Sequence, residues 1–109
     1  MAFFDYIWQN TSLPLMLYNR PRRPGVVVTP ALVEQLSALP TVVATKDRSG
    51  LITQVRELMQ RVGNKISVFV GYESMIVPAR ALGPHEVVAM AHQVAEPLIR
   101  DYWDKAHRR

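Results

Sequence analysis

Residues 41–70 read TVVATKDRSGLITQVRELMQRVGNKISVFV and fall into three pieces. Thr41–Thr45 is a short apolar run rich in β-branched residues. The stretch after it, LITQVRELMQRV, carries Leu51, Ile52, Val55, Leu58, Met59 and Val62 at helical spacing, and Gly63 follows as a stop. Ile66–Val70 is a second run like the first. Neither run alternates apolar with polar residues, which is the pattern of parallel strands covered on both faces. Strand, helix and strand in this span predict a right-handed crossover between parallel neighbours.

The same unit recurs on either side. Upstream, Leu13–Tyr18 is an apolar run, and Thr29-Pro30 reads as an N-cap with proline at the first helical position of ALVEQLSAL. Pro40 stops that helix, and FFDYIWQ before the first run reads as a further helix. Downstream, ESMIVPARAL is a weaker helix with Pro78 inside it and Gly83 beyond it. Val87–Ala91 is the fourth run, and VAEPLIRDYWDKAHRR is a last helix starting near Pro97. The predicted order is α-βα-βα-βα-βα, an α/β chain with a parallel sheet.

Composition bounds the function classes. The chain has 109 residues and a mass of 12.4 kDa, which predicts one domain over residues 1–109. It is 49% hydrophobic and 20% charged, as expected of a globular domain. The absence of cysteine excludes disulfides, thiol catalysis and cysteine metal sites. His85, His92 and His107 are scattered and do not make a spaced metal set. No apolar run approaches the roughly 20 residues of a membrane span. The start, MAFFDYIWQN, lacks a basic segment and carries Asp5, so the expectation is a reducing cytoplasm. Net charge is +4, which suits anionic partners without naming one.

Parallel α/β folds bind ligands at the C-terminal ends of their strands. The first run leaves through Tyr18-Asn19-Arg20-Pro21-Arg22-Arg23-Pro24-Gly25, the second through Lys46-Asp47-Arg48-Ser49-Gly50, the third through Gly71-Tyr72-Glu73. The fourth ends near His92-Gln93. Lysine attacks carbonyls when burial or a neighbouring cation lowers its pKa, and Arg48 is such a cation for Lys46. The plainer reading of Lys46 is a snorkelling strand-end lysine. Tyr18 ends the neighbouring run and is a proton-transfer group if it points the same way; the plainer reading is an aromatic with its hydroxyl in water. Arg20, Arg22 and Arg23, with Lys46 and Arg48, make a basic mouth suited to carboxylate or phosphate, or simply a solvated loop. No aromatic interleaving accompanies the cluster, so nucleic acid is not expected as a partner. Asp47 and Glu73 lie at neighbouring strand ends and leave a carboxylate pair open.

Taken together, YNRPRRPG, TVVATKDRSG, VFVGYES and ALGPHEVVAM resemble the dihydrodipicolinate synthase/N-acetylneuraminate lyase family. Its first motif, Tyr-Asn-x-Pro-x-Arg-x-Gly, is matched by Tyr18, Asn19, Pro21, Arg23 and Gly25. Its second, Lys-Glu/Asp-x-Ser/Thr-Gly, is matched by Lys46, Asp47, Ser49 and Gly50, at the family's offset of 28 residues from Tyr18 to Lys46. Gly83-Pro84-His85-Glu86 departs from the family's usual Gly-Ala-x-Gly. The resemblance implies a (β/α)4 half of a TIM (β/α)8 barrel, corresponding to strands five to eight. It implies Schiff-base lyase chemistry of the class I aldolase type on pyruvate or another 2-oxo acid, with an aldehyde as second reactant and no metal or cofactor. Lys46 would form the imine, Tyr18 would relay protons, Arg23 would meet a substrate carboxylate, and Gly71 and Val88 would line the pocket. Two readings from other classes stand beside it: a non-catalytic remnant acting as an assembly module, and a small anion-binding protein.

Half a barrel predicts an open inner face and two sheet edges. Strand alternation makes Met16, Val42, Ala44, Phe69 and Val88 candidates for that face. The expected state is a homo-oligomer, or a pair with a chain carrying the first four strands.

Overall fold

The structure, a computed structural model, describes residues 2–22, 25 and 27–107. Helix α1 (Ala2–Asn10) precedes β1 (Leu15–Asn19), α2 (Pro30–Leu36), β2 (Val42–Asp47) and α3 (Ile52–Val62). Then come β3 (Ser67–Val70), a 3₁₀ turn (Glu73–Met75) running into α4 (Ile76–Arg80), β4 (Glu86–Val87) and α5 (His92–His107). The four strands form one sheet in the order β1-β2-β3-β4, every pair parallel. All four C-terminal ends therefore lie along one rim.

Local chemistry explains the elements. Thr29 caps α2 by accepting from the Leu32 N–H at 3.2 Å, and Pro30 occupies the first turn, where its missing N–H costs nothing. Strand β1 begins after Pro14 with the Leu15 N–H donating to Thr41 O at 2.7 Å. Helices α2 and α3 pack against each other, as do α3 and α4, and α4 and α5. Leu17, Val42 and Val68 of the sheet meet Val33 and Leu36 of α2 and Leu58 and Val62 of α3 in one core. Val70 joins Val55, Met75 and Ala79 in a second.

The opposite face of the sheet is open. Met16 is 47% exposed, Tyr18 45% and Val88 41%, far above core values. Val42 and Ala44 depart from expectation, since Ala44 is 4% exposed and Val42 is 5% exposed in the helix-side core. For Val42 the cause is a register shift: Leu15 pairs Val42 but Met16 pairs Ala44, which leaves Val43 as an extra residue. Such a bulge reverses which side chain faces the helices, and Val43, not Val42, is 46% exposed.

Two later elements are shorter than predicted. The helix expected over ESMIVPARAL is a 3₁₀ turn followed by five residues of α4. Pro78 lacks an N–H, so it fits only in the first turn of a helix, and α4 starts two residues before it. The fourth run is strand only at Glu86–Val87. The Val88 N–H still donates to Val70 O at 2.9 Å, but β3 ends there and the chain turns toward α5. Within α5, Ala95 is non-helical (φ −134, ψ 45), so the continuous helix begins close to Pro97 as expected.

Candidate active site

Parallel pairing in register sets Tyr18 directly opposite Lys46 and Asn19 directly opposite Asp47. Side chains alternate along a strand, so the two pairs part company. Tyr18 and Lys46 go to the open face, and Asn19 and Asp47 go to the helix side, where they are 2% and 3% exposed.

The inward pair anchors the loop after β2. Asp47 Oδ1 accepts from Asn19 Nδ2 at 3.0 Å and Gln54 Nε2 at 2.7 Å. Its Oδ2 accepts from the Ser49 N–H at 3.3 Å and the Ser49 hydroxyl at 2.5 Å. Asn19 Oδ1 in turn accepts from the Val28 N–H at 3.3 Å, which ties the loop after β1 to the same cluster. A buried carboxylate with four donors is a satisfied one. Gly50, at φ +75, makes the turn into α3 in a conformation that L side chains resist.

On the open side the Lys46 Nζ stands 4.6 Å from the centre of the Tyr18 ring, and Lys46 itself is half-buried. Arg48 rises two residues further along. Its N–H donates to Asn19 O at 3.0 Å, and its guanidinium lies 4.7 Å from the centre of the Tyr72 ring. The nearby Tyr18 phenol, first, then Tyr72 and Glu73, hold the guanidinium pKa above its ordinary value against the opposing effect of burial. A lysine ammonium over the Tyr18 ring and an arginine guanidinium over the Tyr72 ring thus stand at this rim.

Gly71 sits where a side chain would crowd its neighbours. Its N–H donates to Asp47 O at 2.8 Å, and a Cβ there would lie 3.1 Å from that oxygen and 3.0 Å from Arg48 Cβ. Val88 follows β4 directly and is exposed. Arg23 lies outside the described residues. Asp47 and Glu73 do not form a pair: Asp47 is held by Asn19, Ser49 and Gln54, while Glu73 Oε1 accepts from the Ala91 N–H at 2.7 Å. That bond, first, then the Glu73 N–H, the Met90 N–H and the Arg48 charge, hold the Glu73 carboxyl below its ordinary pKa against burial.

Sequence reasoning missed the Asn19–Asp47 cluster and the Arg48–Tyr72 contact. A signal for the first was present, because both residue pairs share the same offset of 28 and parallel strands in register pair equal offsets. Nothing in the sequence signalled the contact between Arg48 and the Tyr72 ring.

A sequence model of the dihydrodipicolinate synthetase family matches residues 1–108. The 4-hydroxy-tetrahydrodipicolinate synthase of Desulforamulus reducens is 39% identical over 102 residues, covering 93% of this chain and 34% of that enzyme. The synthase of Clostridium perfringens is 37% identical over 89 residues, covering 82% and 31%. Among solved structures, dihydrodipicolinate synthase from Aquifex aeolicus superposes with a TM-score of 0.80 at 26% identity, over 96% of this chain and 39% of that one. A prophage protein of the same family from E. coli K12, solved with pyruvate, gives 0.79 at 25% over 98% and 39%. The chain spans about a third of the length of the curated relatives it matches.

Proposed function

This chain belongs to the dihydrodipicolinate synthetase family, and from that premise we propose that it carries the imine-forming half of a Schiff-base lyase site acting on pyruvate or a related 2-oxo acid. The observation that carries the proposal is the register of β1 and β2, which sets Tyr18 opposite Lys46 with the Nζ over the ring. A pyruvate complex of a structural neighbour supports the choice of ligand.

The residues take these parts in the proposal. The Lys46 amine adds to the keto carbon, and water leaves to give a protonated imine. The imine draws electrons from the adjacent carbon, which loses a proton through Tyr18, whose own hydroxyl proton passes to the released water, and becomes an enamine. The enamine carbon bonds an aldehyde carbon, whose oxygen takes up a proton, and water then releases the product and restores the amine. Asn19 and Asp47 fix the two strand ends, so the nucleophile and proton carrier hold their spacing. Arg23 serves a substrate carboxylate, while Gly71 and Val88 border the ligand. In this reading the chain works in the cytoplasm; among the described residues no helix is long and apolar enough to cross a membrane.

Exchange of the pyruvate methyl protons in D₂O, followed by proton NMR, tests the proposal without any aldehyde. The chain should accelerate exchange, Lys46→Ala should abolish it, and Tyr18→Phe should slow it on the order of 10²-fold. Exchange that survives Lys46→Ala contradicts the assignment. The open sheet face, with Met16 and Val88 exposed, favours a second reading, a non-catalytic assembly module; that reading predicts no exchange and binding to a complementary barrel half.

A further inference from the structure

At the rim opposite Lys46, a hollow of about 430 Å³ opens between the end of α2, the start of β2, the α3–β3 loop and His85. Volumes of roughly 300–1,000 Å³ are usual for small-molecule sites. Val43 borders the hollow three residues before Lys46 on β2, so hollow and lysine lie about 10 Å apart along the strand. Among the described residues no carboxylate lines it, and Lys65 supplies its fixed positive charge. Lys105 is paired with Asp101 at 2.7 Å, and Arg61 is held between Glu34 at 2.6 Å and Glu57 at 2.8 Å. Lys65, by contrast, is bridged to no carboxylate among the described residues.

His85 adds a donor that the fold sets in place. Its Nδ1 accepts from the Val68 N–H at 3.0 Å, and its own backbone N–H donates to Val68 O at 2.9 Å. A neutral ring that accepts at Nδ1 carries its proton on Nε2, which leaves Nε2 to donate to a ligand. The Asn64 amide and the Ser67 hydroxyl line the same hollow, and neither side chain has a hydrogen-bond partner among the described residues. Thr41, between the lining residues Pro40 and Val42, has a buried hydroxyl that also lacks one. The last carbonyls of the two helices are engaged instead by the turns that follow them. Leu36 O accepts from the Leu39 N–H at 3.0 Å, and Val62 O accepts from the Lys65 and Ile66 N–H groups at 2.9 and 3.0 Å. The hollow therefore offers one positive charge and several unmet donors.

We propose that this hollow is a second binding site, separate from Lys46, that takes a phosphate group, free or carried on a small molecule. A carboxylate is met best by the flat fork of an arginine, and no arginine lines the hollow. A lysine point charge among neutral donors suits a tetrahedral oxyanion. Lys65, Asn64, Ser67 and the His85 Nε2–H are those groups. The inference does not depend on the imine reading, since no residue of that site lines the hollow.

Glycerol 3-phosphate and inorganic phosphate, each titrated into ¹⁵N-labelled chain and followed by NMR, test the proposal. Both should shift the Lys65 and Ser67 amide resonances and the Asn64 side-chain pair until they saturate, and the shifts should persist in Lys46→Ala. Whichever of the two binds more tightly identifies the source of the phosphate. Acetate should bind more weakly than either. Lys65 is exposed, so Lys65→Gln leaves the core intact; it should raise the Kd for phosphate on the order of tenfold, while Lys105→Gln leaves it unchanged. Shifts confined to the Lys46 rim, shifts that never saturate, or acetate binding as tightly as phosphate overturn the proposal. So does a Kd that Lys65→Gln does not change.

Discussion

At the scale of single residues, the two motifs do different physical work in alternate positions. Tyr18 and Lys46 face outward and are available for chemistry, while Asn19, Asp47 and Ser49 face inward and hold the rim together. Removing the Asp47 carboxylate leaves buried donors on Asn19 and Gln54 without acceptors. Asp47→Ala should therefore destabilise the chain by about 2–4 kcal/mol, read as a lower urea midpoint at unchanged slope. A change under about 0.5 kcal/mol, the size of an ordinary surface substitution, would show that the cluster is not structural. Lys46 and Tyr18 were legible in the sequence because each directly extends an apolar run. The loop cluster was not, because its bonds depend on which face each residue takes, and a single extra residue at Val43 resets that face for Val42.

Among the elements, β1, β2, α2 and α3 matched their sequence patterns closely, since long apolar runs and capped helices carry strong local signals. The C-terminal third matched less well. Its strand is two residues long, and its length is set by where β3 stops rather than by its own sequence. The segment leading into α5 is held partly by Glu73, whose carboxylate receives the Ala91 N–H. A carboxyl with a lowered folded pKa contributes stability that is fully present above its unfolded value, near 4.5, and is lost as pH falls through the folded value. Thermal melts stepped downward from pH 7 should show wild type losing stability below about pH 4.5. Glu73→Gln should be less stable at pH 7 and fall less steeply, so the two curves converge in acid. Parallel curves would assign no role to this carboxylate.

Over the whole molecule, the surface is too large for a closed monomer. The exposed area is 7095 Å², against about 6100 Å² for a compact chain of this mass. The radius of gyration is 14.3 Å, against about 13 Å expected. The excess fits a half-barrel whose inner face leaves Met16, Val88 and Met90 exposed. Alongside β1, a cavity of about 470 Å³ is lined by Phe3, Phe4 and Ile7 of α1 and by Met16 and Tyr18, where a barrel would have its next strand. Light scattering coupled to gel filtration should give a mass above 12.4 kDa, from a second copy or a complementary half. A monodisperse monomer with a sharp cooperative melt would contradict the half-barrel account. The most direct test of the central claim is covalent capture at the rim. The chain is incubated with pyruvate, reduced with borohydride, digested and mapped by mass spectrometry. The account predicts a reduced pyruvyl adduct on the peptide carrying Lys46, absent in Lys46→Ala; no adduct at millimolar pyruvate, or one spread over the exposed lysines Lys65 and Lys105, would contradict it.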